Sequence, residues 1–178
     1  MNATTCPSPH RIAVARPAFE IAPAWRMVIS AAGFAMTTLC LAALTRWIAG
    51  FAPDHPHIRD TAVLLHLSAV IPAVPLGAYV LLARKGTSLH KALGKAWVAL
   101  MLATAISAIF VQTSGSFSWI HIFVPLVLQG CWQIVATARR GDMKGHRLQT
   151  IRLYVTALIL PGVFTFLPER LLGTWLLG

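Results

Sequence analysis

Apolar residues in this chain fall into five runs of spanning length, at about 27–45, 60–83, 88–112, 118–137 and 149–167. Clusters of Gly, Ser and Pro between the runs mark tight hairpin turns. A run of this length needs a lipid environment, and there it must be helical, because unpaired backbone groups cost several kcal/mol where no water can reach them. The pattern therefore predicts an all-α membrane protein with five transmembrane helices. Residues 1–26 read as a polar cytoplasmic leader containing Glu20 and several prolines, followed by an uncleaved first helix. Residues 27–178 read as a single transmembrane domain.

Two stretches of this domain, about 61–112 and 116–168, look like copies of one another. His66 lies 18 residues before Arg84 in Ala83-Arg84-Lys85-Gly86, and His121 lies 18 residues before Arg139 in Ala138-Arg139-Arg140-Gly141. Beyond each Gly comes a second histidine–cation pair, His90-Lys91 and His146-Arg147. Each copy predicts a helical hairpin. Two tandem hairpins make a four-helix bundle core, to which the N-terminal helix is added.

Composition agrees with this solvent: 57% of residues are apolar and 11% charged, in a chain of formal net charge +10. The basic excess is topological. Arg11, Arg16, Arg26, Arg84, Lys85, Lys91, Lys95, Arg139, Arg140, Lys144, Arg147 and Arg152 share one side, leaving Arg46, Arg59 and Arg170 for the other. That asymmetry predicts a bacterial inner-membrane protein with a cytoplasmic N-terminus and a periplasmic C-terminus. Nucleic acid is not an expected partner. Trp25, Trp47 and Trp119 are expected as interfacial anchors, and the tail 171–177, too short to span, in the outer interface.

Histidine carries the candidate chemistry. At 1.5 Å per residue, 18 residues lift His66 and His121 about 27 Å above the basic turns, to matching depths. A polar ring within a span is costly unless paired or ligated. His66 with His121 would form an outer pair, and His90 with His146 an inner pair. Two imidazoles from facing helices can ligate a haem iron, so the expected cofactor is haem b, one or two groups, held non-covalently since there is no C-x-x-C-H motif. Arg84, Lys85, Arg139 and Arg140 would neutralise inner propionates. Gly77, Gly94 and Gly130 would admit the ring near the backbone, and Trp97 and Trp132 would pack on its face.

Each of these residues also has a plainer role open to it. His90 and His146 lie among Lys and Arg, where interfacial histidines are common. His121 stands beside Trp119 at a span entrance, and His66 can hydrogen-bond across the bundle. His55 and His57, in Asp54-His55-Pro56-His57, read as a polar turn. Cys6, Cys40 and Cys131 have no zinc or disulfide spacing and read as small packing residues. Pro72, Pro75, Pro125 and Pro161 should kink their spans. No Gly-rich phosphate loop, nucleophile elbow or paired intramembrane carboxylates occur among the five acids.

His66-Leu67, the run 71–77, Arg84-Lys85-Gly86-Thr87-Ser88-Leu89-His90-Lys91, Gly94-Lys95-Ala96-Trp97, Ala138-Arg139-Arg140-Gly141-Asp142, His146-Arg147 and Phe164-Thr165-Phe166-Leu167-Pro168 together carry a resemblance. The chain from about Thr61 onward resembles the bacterial membrane family called domain of unknown function 2306. That resemblance implies a polytopic inner-membrane protein and no settled activity. The histidine order is also similar to that of transmembrane di-haem cytochromes b. In that family four histidines on consecutive helices pair first with third and second with fourth, which implies His66 with His121 and His90 with His146.

The expected function is thus transmembrane electron transfer, a haem-dependent oxidoreductase activity with quinol or another small donor as partner. An oligomer or a partner subunit fits the same pattern. Two alternatives stand beside it: a small proton-linked transporter, and an accessory or structural subunit without cofactor.

Overall fold

The computed structural model describes residues 23–54, 58, 60–111, 119–168 and 170–178. Among the described residues seven α-helices run in order: α1 Pro23–Ile48, α2 Thr61–Leu82, α3 Ser88–Phe110, α4 Phe123–Arg139, α5 Met143–Tyr154, α6 Leu160–Thr165 and α7 Leu171–Leu177. A 3-10 turn, Trp119–Ile122, precedes α4, and a π-helical turn, Val155–Ile159, joins α5 to α6. Among the described residues there is no strand.

Among the described residues four helices are long and apolar enough to cross a membrane: α1, α2, α3 and the continuous stack from Met143 to Thr165. The run expected at 118–137 becomes α4, a helix of 17 residues, rising about 26 Å. Residues 1–22 of the leader, the His55–His57 turn and residues 112–118 lie outside the described residues, and the last four leader residues already belong to α1.

The repeated basic turn builds the same local structure twice. Gly86 and Gly141 adopt φ of +81° and +72°, the left-handed backbone that ends a helix and that a Cβ disfavours. Immediately after each Gly comes a capping side chain. Thr87 Oγ1 accepts from the His90 N–H at 3.1 Å, and Asp142 Oδ1 accepts from the Gly145 N–H at 2.9 Å. Each cap satisfies a donor that the helix start would otherwise leave bare. His90 is therefore the third residue of α3 and His146 the fourth of α5. Asp142→Ala should lower stability by about 1 kcal/mol, read as a reduced midpoint of thermal unfolding in detergent.

Helix α2 packs on α3, α3 on α4, α4 on α5, and α5 returns to α2, so α3 and α5 lie across one diagonal of a ring. Helix α1 leans on α2 and carries α7. At the centre, Trp97 and Tyr154 are buried and turn their polar atoms onto α2. Trp97 Nε1–H donates to the Ala73 carbonyl at 3.0 Å, and Tyr154 O–H to the Val74 carbonyl at 3.2 Å. Both rings reach α2 because Gly77 has no side chain there: a Cβ would come within 2.6 Å of Trp97 and 2.7 Å of Tyr154.

The prolines act at three different levels. Pro72 and Pro75 lie inside α2, flanking the two carbonyls that the aromatic rings use. Pro161 follows the π turn, in which the Leu160 N–H bonds to Val155 O. Its ring crowds the carbonyl four residues back, and the wider turn relieves that clash. Pro125, expected to kink its span, instead lies in the first turn of α4, where a missing N–H disturbs nothing.

At the far end of the fold the tail forms α7, in which Leu172, Gly173 and Trp175 are buried. Trp47, expected as an interfacial anchor, stacks on Trp175 with centroids 4.9 Å apart and planes 12° off parallel. Arg46 Nε donates to the Trp175 carbonyl at 2.9 Å. Trp25 is exposed. Cys40 and Cys131 are buried free thiols in the core, as packing residues are.

Candidate functional site

A cavity of about 590 Å³ opens at the basic end of the bundle, between α3 and α5, with the ends of α2 and α4 as its other walls. His90 and His146 both line it, within electrostatic reach of one another. The repeated turns explain why. Each fixes a helix start at the same height, and the ring order then sets α3 opposite α5.

The two imidazoles are held differently. His146 Nδ1 lies 3.0 Å from the Ile134 carbonyl. A carbonyl only accepts, so Nδ1 carries the hydrogen and the neutral ring keeps its lone pair on Nε2. A backbone carbonyl holding the far nitrogen is the usual support of a metal-ligating histidine. His90 Nδ1, by contrast, is buried with no hydrogen-bond partner, a state that ordinarily costs about 1–3 kcal/mol.

The walls combine two chemistries. Val80, Leu81, Trp97, Val98, Ile134 and Val135 are apolar, whereas Lys85, Lys91, Lys95, Arg139 and Arg147 bring charge. Among the described lining residues there is no Asp or Glu. Gly94 lines the cavity and has open space where a Cβ would be. Of the residues proposed from sequence, His90, His146, Arg139, Lys85, Gly94 and Trp97 meet here.

Others do not. Arg84 is exposed and does not line the cavity; its neighbour Lys85 does. Arg140 is exposed in the adjoining turn. Gly77 and Gly130 are filled by protein, the first by Trp97 and Tyr154 and the second by Leu153. Trp132 is 65% exposed on the outside of α4. Reasoning from sequence missed Lys91, Lys95 and Arg147 as cavity residues, although each lies within five residues of a candidate histidine.

His66 stands apart from this cavity. Its Nδ1 donates to the Thr104 carbonyl at 3.1 Å and lies 3.2 Å from Ser107 Oγ, both on α3. His121 is on the 3-10 turn ahead of α4 rather than within a regular helix, and is partly buried. The geometry that brings a pair onto one cavity is thus described for the basic end.

Lys85 lies in the turn between α2 and α3, outside the spans. Its ammonium caps the end of α2 by donating to the Val80 carbonyl at 3.0 Å and to the Leu81 carbonyl. Burial first, and repulsion from Arg26 second, push its pKa from 10.5 down to about 8. Between those two values the unfolded chain binds more protons than the folded one, so stability rises with pH across that window and not below it. The thermal midpoint in detergent should increase from pH 8 to 10, and the increase should shrink in Lys85→Gln.

The family model of DUF2306, described as a predicted membrane protein, matches residues 63–174. That stretch contains the whole of α2 to α6 apart from two residues, and with them the cavity. No curated protein and no solved structure matches the chain.

Proposed function

The chain belongs to the DUF2306 family of membrane proteins, and from that premise we propose a b-type cytochrome-like protein that passes electrons within or across the bacterial inner membrane. The observation that carries this reading is the pair His90 and His146 on one cavity, with the His146 Nδ1–H fixed by the Ile134 carbonyl.

The cavity meets the needs of haem b on three counts. Two imidazoles from diagonal helices would supply nitrogen donors to the iron, and the buried, unpartnered Nδ1 marks His90 as a ring whose hydrogen bonding is incomplete. Apolar walls with Trp97 would receive the macrocycle, and Arg139, Lys85, Lys91 and Lys95 would receive the propionates. When bound, such a group supplies one-electron transfer; the protein supplies ligands, a dry environment and charge. The Ile134 carbonyl orients His146, and the cations stabilise negative charge at the mouth. A quinol or another small reductant is the fitting class of donor.

The same reading extends to a second group on His66 and His121. Support for it is the His66 Nδ1–H, held by Thr104 as His146 is held by Ile134. Helix α4 would then be a fifth span. The cations near the repeated turns, with Arg46 and Arg170 toward the other end, would orient the basic end to the cytoplasm.

An absorption spectrum of the purified protein, oxidised and then reduced with dithionite, tests the proposal together with a haem-to-protein ratio. A Soret band with sharp reduced α and β bands supports six-coordinate ligation by two imidazoles. A preparation still colourless after expression with a haem precursor sinks it and returns the histidines to transport or assembly.

A further inference from the structure

Positive-inside topology explains why Lys and Arg collect at one end of the bundle, but not why five of them converge on one concavity. Arg84, Arg140 and Lys144 are exposed at that end without lining it. Lys85, Lys91, Lys95, Arg139 and Arg147, from the turn and three helices, surround the cavity together.

Charge and apolar surface are also ordered by depth. Along α3 the cavity residues run from His90, Lys91 and Lys95 near the turn to Trp97 and Val98 further in. Along α4, which travels the other way, Ile134 and Val135 lie deep and Arg139 lies near the turn. The mouth is thus cationic and the floor apolar. The nearest acid in sequence, Asp142, has its carboxylate engaged in capping α5.

We propose that this cavity recognises an amphiphile by its acid groups, taking an apolar body inward and binding two carboxylates or a phosphate at the mouth through Lys91, Lys95, Arg139 and Arg147. It deepens the haem reading by naming the ligand's polar chemistry, yet it requires no iron. Porphyrin carboxylates and the phosphate of an anionic lipid share that chemistry.

The test uses the full-length protein in detergent and metal-free protoporphyrin IX, followed by porphyrin emission and by tryptophan quenching. The probe has the two carboxylates and the flat ring but no iron to ligate, so the histidines' ligand role is removed from the comparison. Saturable binding at one probe per chain is expected, with the dimethyl ester at least about tenfold weaker, as for loss of charge-assisted hydrogen bonds. Lys95→Gln with Arg139→Gln, both at exposed positions, should weaken the acid by about tenfold or more and leave the ester unchanged. His90→Ala with His146→Ala should leave acid-over-ester preference in place. Equal binding of acid and ester overturns the proposal, as does an equal loss of both in the cation variant. If protoporphyrin fails but dioleoyl phosphatidate binds with the same dependence on Lys95 and Arg139, acid recognition stands with a lipid source and the haem reading falls. Failure of both probes overturns the proposal.

Discussion

On the proposed haem assignment, His146→Ala should leave the purified protein without the six-coordinate spectrum at the basic-end site, with haem affinity there lower by at least about 100-fold. Losing only the carbonyl or carboxylate that orients a ligating histidine costs about 10–100-fold, and removing the ring itself must exceed that. The effect follows from geometry: the Ile134 carbonyl fixes the hydrogen on Nδ1, and among the described residues lining the cavity His90 is the other imidazole. His90→Ala should give the same spectral loss. His66→Ala separates one group from two, for it should spare the basic-end spectrum and halve the haem content only if a second group is bound. Unchanged spectra in both His90→Ala and His146→Ala would remove these residues from the ligand set.

Gly77→Leu should be the most damaging substitution in the core, lowering stability by about 3 kcal/mol or more, the upper range for overpacking. Even the Cβ alone meets both Trp97 and Tyr154, and neither ring can retreat freely. Trp97 is held to Ala73 and Tyr154 to Val74, and both are buried. Moving either strands a donor in an apolar interior, at a further cost of about 1–3 kcal/mol. Gly77→Ala should be milder, offset in part by the roughly 1 kcal/mol that Ala gains over Gly within a helix. Thermal unfolding in detergent ranks the three proteins. Because Trp97 also lines the cavity, Gly77→Leu should weaken protoporphyrin binding as well. Wild-type stability in Gly77→Leu would mean that α2 and its aromatic neighbours separate easily.

Helices α2 and α3 were legible to within two residues at each end, as 60–83 against Thr61–Leu82 and 88–112 against Ser88–Phe110. Their apolar runs stop at a capping Asp60 or Thr87 and at a turn containing Gly86, so hydropathy and capping agree. The last span was placed at 149–167, where hydropathy rises, yet the helix begins at Met143 because Asp142 caps it. Polar residues of that first stretch, His146 and Arg147 among them, hid the start. Cap chemistry, rather than hydropathy, gave the true boundary.

Faces were the harder problem. In water a helix advertises its buried side by an apolar stripe. In lipid, core and surroundings are equally apolar, so the stripe vanishes and periodicity cannot say which residues turn inward. Trp97 and Trp132 look alike in the chain, but one is 1% and the other 65% exposed. Gly77 and Gly94 look alike too; one is filled by two aromatic rings and the other borders open space.

The chain alone therefore settles membrane residence, the all-helical class, the repeated basic turn and the place of His90 at the start of α3, because each follows from local chemistry and from the absence of water. Packing decides that Lys85 rather than Arg84 lines the cavity, that α7 clasps α1 through Trp47 and Trp175, and that α3 and α5 stand across a gap. Those outcomes depend on which side chains meet between helices distant in sequence, and no local signal encodes that meeting.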